Sequence, residues 1–102
     1  MMNRMLLTAL IVGSVGLAGA AQAAGDAAAG KAKAAACAMC HGPNGEGTQM
    51  AGKLAGMDQA KFIEAMNDYK TGKRDNAMMK SQGSALSDDD IANLAAYYAT
   101  LK

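Results

Sequence analysis

Hydrophobic positions are distributed along this chain in two ways. Near the start they form an unbroken run, LLTALIVGSVGLAGA, which follows a basic opening (Met1 to Arg4) and precedes the small-residue tripeptide Ala21-Gln22-Ala23. Further on they recur at helical spacing. Phe62, Ala65, Met66 and Tyr69 share one face of a helix predicted over about Asp58 to Thr71, with Gly72 placed to end it. Ile91, Leu94, Ala95, Tyr98 and Leu101 form the stripe of a helix that starts at Ser87. The Ser87 hydroxyl can cap that helix, Asp88, Asp89 and Asp90 favour its positive end, and Asp90 stands at capping-box distance from Ser87. These acids are read as a solvated cap, because consecutive helical residues point in different directions.

A further helix is predicted from alanine content, from about Asp26 to the stretch CAMCH at 37 to 41. Gly30 lies in its middle, where glycine costs about 1 kcal/mol relative to alanine, so a packing reason is expected for it. Between the helices lie HGPNGEGTQMAGKLAG and GKRDNAMMKSQGSAL, rich in glycine and polar residues and without the alternation of a strand. The expected fold class is all-α: three main helices joined by long loops. So much loop in so small a domain calls for something that organises it.

The N-terminal run changes the accounting. A basic start, an apolar run and an A-x-A site in that order make a secretory signal peptide, with cleavage expected after about Ala23. The run is shorter than the roughly 20 apolar residues a membrane-spanning helix needs, so no stable membrane insertion is expected after cleavage. Taking residues 1–23 from the 102 leaves 79, enough for a single domain over 24–102. Of ten basic residues only Arg4 lies in the leader, so the remainder carries nine residues of each sign. That balance argues against nucleic acid as a partner, which would require a concentrated basic face. The apolar residues are mostly alanine and methionine, with Phe62, Tyr69, Tyr97 and Tyr98 as the only aromatics. A core so thin needs a staple, a metal or another large buried group.

The motif CAMCH holds both cysteines and the one histidine of the chain. A structural zinc needs four ligands, and only three of its usual N and S donors exist here. A thioredoxin-like dithiol needs a strand–helix–strand setting that is absent. A Cys37–Cys40 disulfide suits an exported protein, but it closes a very short loop and leaves His41 unexplained. Covalent haem attachment uses every residue of the motif: two thiols add to the haem vinyl groups and the adjacent imidazole binds iron, which is the reason for the spacing C-x-x-C-H. A second axial ligand would then be a thioether. Met39 lies between the cysteines, Met50 follows His41 too closely to reach round the ring, and Met57 and Met66 border or belong to a helix face as packing groups. Met78 and Met79 remain, in the stretch before the last helix.

Taken together, GDAAAGKAKAAACAMCHGPNGEG, KLAG, YKTGKRDNAMM and LSDDDIANLAAYYATLK resemble a class I cytochrome c of the short, soluble, single-haem bacterial type, over nearly all of the chain after the leader. The resemblance implies a small cytochrome c fold wrapped around one covalently attached haem c. In that family the methionine ligand lies eight residues ahead of the serine capping the last helix, which gives Met79, with Met78 as runner-up. The family also crosses its first and last helices at close range on a glycine, so Gly30 is expected to face Leu94 and Tyr97. One position departs. Where the family commonly has a proline just before KLAG, whose neighbourhood supplies a carbonyl to the histidine's second nitrogen, this chain has Gly52; the carbonyl is kept and the rigidity is not.

The implied function is that of a periplasmic electron carrier and not an enzyme, with Cys37 and Cys40 as thioether sites and His41 and Met79 as axial iron ligands. An iron with both positions filled favours electron transfer over oxygen or peroxide chemistry, and methionine ligation raises the potential toward the oxidising end of a respiratory chain. Partners would be redox proteins bound transiently, such as membrane oxidase, reductase or dehydrogenase complexes, with the chain itself a monomer. Lys31, Lys33, Lys53, Lys70, Lys73, Arg74 and Lys80 are candidates for a guiding rim or for solubility, and Lys73 and Arg74 for pairing with haem propionates. The rivals are a haem enzyme or gas sensor in which Met79 dissociates, and a haemless thiol protein.

Overall fold

The computed structural model describes residues 25–102, so the leader assigned to 1–23 lies outside the described residues. Among the described residues there are five helices and no strands: α1 (Ala27–Lys33), α2 (Ala35–His41), α3 (Gln59–Thr71), α4 (Ala77–Ser84) and α5 (Asp88–Thr100). No helix here is long and apolar enough to cross a membrane.

The first expected helix is two. Asp26 caps α1 as its side chain accepts from the N–H groups of Ala28 and Ala29 at 3.0 and 3.4 Å. At Ala34 the ladder tightens, the Ala34 N–H bonding to the Lys31 carbonyl three residues back at 3.2 Å, and α2 then carries CAMCH. Asp58 caps α3 through the Lys61 N–H, and Gly72 ends it in the left-handed conformation at φ 82°. At α5 both halves of the Ser87–Asp90 capping box are formed.

The stretch read as an irregular loop before the last helix contains α4. Asn76 caps it, its side-chain oxygen accepting from the Met79 N–H at 3.0 Å. No apolar stripe marks this segment because only Gly83 in it is buried.

α1 and α5 cross at close range. A Cβ built on Gly30 would stand 2.0 Å from the Asn93 carbonyl oxygen and 2.9 Å from the Tyr97 Cβ, so glycine is what lets the two backbones touch. The expected contact with Tyr97 is there; the nearest group is the backbone of Asn93 rather than Leu94. Two polar links tie the same pair: the Asp26 N–H donates to the Asn93 side-chain oxygen at 2.8 Å, and Lys33 Nζ lies 3.6 Å from Asp90 Oδ2.

α3 packs on α4 and on α5. The core that results is small: Ala34, Phe62, Met66, Ile91, Leu94, Ala95 and Tyr98, with Phe62 and Tyr98 ring centroids 5.8 Å apart. The long loop after α2 is closed on itself and tied to this core. Its Gly45 carbonyl receives the N–H groups of both Leu54 and Ala55 within the loop, and the Gly56 N–H bonds to the Tyr98 carbonyl of α5 at 2.8 Å.

Candidate cofactor site

α2 and α4 do not approach one another, and a cavity of about 330 Å³ lies among them, α3, α5 and the loop after α2. Cys37, Cys40 and His41 line it from α2; Met78 and Met79 line it from α4. Leu54, Phe62, Met66 and Leu94 supply an apolar wall. A cavity of this volume with apolar lining and a few convergent polar groups is the form that small-molecule sites take.

Both cysteines are free thiols. Burial pushes the Cys37 thiol up, and a hydrogen bond with the Tyr98 hydroxyl pulls it partly back. The same contact, together with the larger effect of burial, raises the Tyr98 phenol well above its ordinary range. Tyr98 thus reaches from the core of α5 to the first residue of the motif.

His41 is oriented by its backbone partner. Its Nδ1 lies 2.7 Å from the Gly52 carbonyl oxygen. A carbonyl can only accept, so Nδ1 is the donor in this contact, and Nε2 is the ring nitrogen left free of it to meet a metal. The chain between the two residues is pinned to the end of α2: the Gly47 N–H bonds to the His41 carbonyl at 2.8 Å, and the Thr48 hydroxyl donates to the Cys40 carbonyl.

The methionines separate by exposure. Met39 is 81% exposed, Met50 75% and Met78 63%, whereas Met79 is half-buried and packed against the core cluster. Met66 is buried and Met57 packs on the same cluster, as packing groups do. Arg74 also lines the cavity, its guanidinium carbon 5.4 Å from the centre of the Tyr69 ring. Among the described residues no group of three or more His, Cys, Asp and Glu side chains is arranged to hold a metal ion between them. Sequence reasoning missed Thr48 and Asn76, which act on the site through the backbone; Asn76 carried a signal, an N-cap residue followed by good helix formers.

Comparison with known proteins gives the family. The Cytochrome c family model matches residues 27–102. The chain belongs to the cytochrome c family. It is 45% identical over 102 residues to cytochrome c4 of Pseudomonas aeruginosa, covering 99% of this chain and 50% of that protein. Among solved structures, cytochrome c4 of Acidithiobacillus ferrooxidans superposes with a TM-score of 0.73 at 26% identity, over 76% of this chain and 51% of that one. A chain of thiosulfate dehydrogenase (TsdBA) from Marichromatium purpuratum gives a TM-score of 0.72 at 33% identity, over 76% of this chain and 20% of that one. The chain thus spans about half the length of the cytochrome c4 relatives it matches.

Membership implies haem c, covalently bound, and the residues present fit it. Two free thiols stand in the required spacing, an imidazole is held by Nδ1 so that Nε2 is free of it, and a cavity with apolar walls separates them from a thioether on another helix.

Proposed function

We propose that this chain is a periplasmic electron carrier whose haem c is joined through thioethers at Cys37 and Cys40, with His41 and Met79 as the axial ligands. A haem held by these residues would supply one-electron chemistry between ferric and ferrous iron. The observation that carries this reading is the pairing across one cavity of an oriented His41 and a half-buried Met79.

The chain's own residues do the rest. Cys37 and Cys40 anchor the ring edge to α2, so the group is not lost on repeated turnover. The Gly52 carbonyl fixes which nitrogen of His41 faces the cavity. Asn76 starts α4 one turn ahead of Met79 and so sets where its sulfur points. Phe62, Met66 and Leu94 exclude water, which lowers the local dielectric and, with methionine ligation, favours a high potential. Burial of a large apolar ring against so small a core would also complete it, so folding and haem attachment are coupled.

A helical α4 bears on the choice of sulfur. Neighbouring helical residues point about 100° apart, so Met78 and Met79 cannot face the iron equally, and the more exposed Met78 is the poorer candidate. For partners, the likeness to a thiosulfate dehydrogenase chain supports a dehydrogenase-type donor, met through a brief contact of small area.

The test is a reduced-minus-oxidised spectrum and an intact mass of the protein exported from a host that matures c-type cytochromes. The expected product begins after Ala23, carries one added haem and shows the red absorption of sulfur-ligated ferric iron. A colourless product with a Cys37–Cys40 disulfide would overturn the proposal.

A further inference from the structure

The hydrogen bond between His41 and Gly52 depends on a backbone carbonyl, and the residue bearing it has no side chain to hold it in place. A glycine with open space around its Cα, where a Cβ would meet nothing within 4 Å, does not fix its own peptide plane. Something else must aim that oxygen at Nδ1. The chain just before it is closed into a tight turn by one residue: the Thr48 N–H bonds to the Ala51 carbonyl at 2.8 Å, and the Thr48 hydroxyl accepts from the Met50 N–H at 3.1 Å. The same hydroxyl donates to the Cys40 carbonyl, one of the carbonyls left without an intrahelical partner at the end of α2. The hydroxyl thus uses its one proton on the helix and one of its two lone pairs on the turn.

We infer that Thr48 is a positioning residue for His41: its hydroxyl latches the turn that ends at Gly52 onto the C-terminus of the helix bearing His41, and so sets the strength of the Nδ1–H···O=C bond. This rests on His41 being the axial ligand proposed above. The consequence is electronic. A well-aligned acceptor at Nδ1–H makes the imidazole more basic, which favours ferric over ferrous iron and holds the potential down. Releasing the latch weakens that acceptor and shifts the potential upward. Thr48 is exposed, so loss of its hydroxyl leaves the Cys40 carbonyl and the Met50 N–H to water and not to an apolar interior.

The experiment compares wild type, Thr48→Val, Thr48→Ser and Thr48→Ala as holoproteins. Midpoint potentials come from spectroelectrochemistry, and exchange of the His41 Nδ1 proton from NMR of the reduced, diamagnetic state. The expected result is a higher potential and several-fold faster Nδ1 proton exchange in the Val and Ala variants, with Ser close to wild type on both. Ala against Ser isolates the hydroxyl even if Val packs poorly. Val and Ala variants matching wild type on both measures would overturn the role of Thr48 alone. A wild-type holoprotein without imidazole ligation to iron would overturn both this inference and the ligand assignment it rests on.

Discussion

His41 Nδ1 and the Gly52 carbonyl oxygen stand 2.7 Å apart, eleven residues from each other in the chain and joined across a loop without regular structure. The loop is held at both ends, by the carbonyls of Cys40 and His41 on α2 and by the Tyr98 carbonyl on α5. The imidazole is therefore aligned by the backbone of a segment that is itself tied to the two helices flanking the cavity.

Because Gly52 contributes only its carbonyl, its missing side chain is dispensable. A Cβ there meets nothing within 4 Å, and its φ lies outside the left-handed region. Gly52→Ala should stabilise the holoprotein by about 0.4–1 kcal/mol through loss of unfolded-state entropy. Denaturant melts of both proteins check this, and the visible spectrum should be unchanged. A spectral shift would mean that the alanine had turned the peptide plane away from His41.

The two adjacent sulfurs should separate cleanly by mutation. Met79→Ala is expected to abolish the absorption band of sulfur-ligated ferric iron and to lower the potential, while Met78→Ala keeps the band. Met78 is exposed, so its loss should change stability by no more than about 0.5 kcal/mol. Ferric spectra and denaturant midpoints of the two variants decide it; a band lost in Met78→Ala and kept in Met79→Ala would reverse the assignment.

Gly30 offers a test in which two effects oppose. Alanine in a helix is favoured over glycine by about 1 kcal/mol. Here its methyl would stand 2.0 Å from the Asn93 carbonyl oxygen, a backbone atom that cannot swing away. Overpacking of this kind costs about 1–3 kcal/mol, so Gly30→Ala should be destabilising and should lower the denaturant midpoint of the holoprotein. An unchanged or raised midpoint would show that α1 and α5 do not cross this closely.

Much of this was legible in the chain. Ser87 and Asp90 announced the start of α5 because a capping box is a local device, complete within four residues. CAMCH announced the anchoring end of the site for a similar reason, since its spacing is set by the group it holds. α4 was not legible: its one buried residue is a glycine, and its sequence carries serine and glycine where a periodic stripe would have shown. The break at Ala34 left no mark either, since a run of alanines reads as helix throughout, even where one bond of the ladder tightens to three residues. Thr48 was hidden because its role runs through carbonyls, which every residue has, and only the folded loop shows which ones it reaches.

The capping box also predicts how the protein responds to acid. Asp90 accepts from the Ser87 N–H at 3.1 Å and lies near Lys33 of α1. The backbone hydrogen bond first, then the Ser87 side chain and the Lys33 charge, hold its carboxyl below the usual carboxylate range. A carboxylate depressed in the folded state lends stability that is complete above its unfolded pKa and is lost as pH falls toward the depressed value. Asp90→Asn should therefore unfold at lower denaturant than wild type near neutral pH, and the two midpoints should converge below about pH 4, where the unfolded carboxyl takes up its proton. Part of the difference comes from Lys33 at the surface and should shrink as salt is added, while the part from the Ser87 N–H should persist. A gap between variant and wild type that stayed constant across the acid range would assign the effect to packing instead of charge.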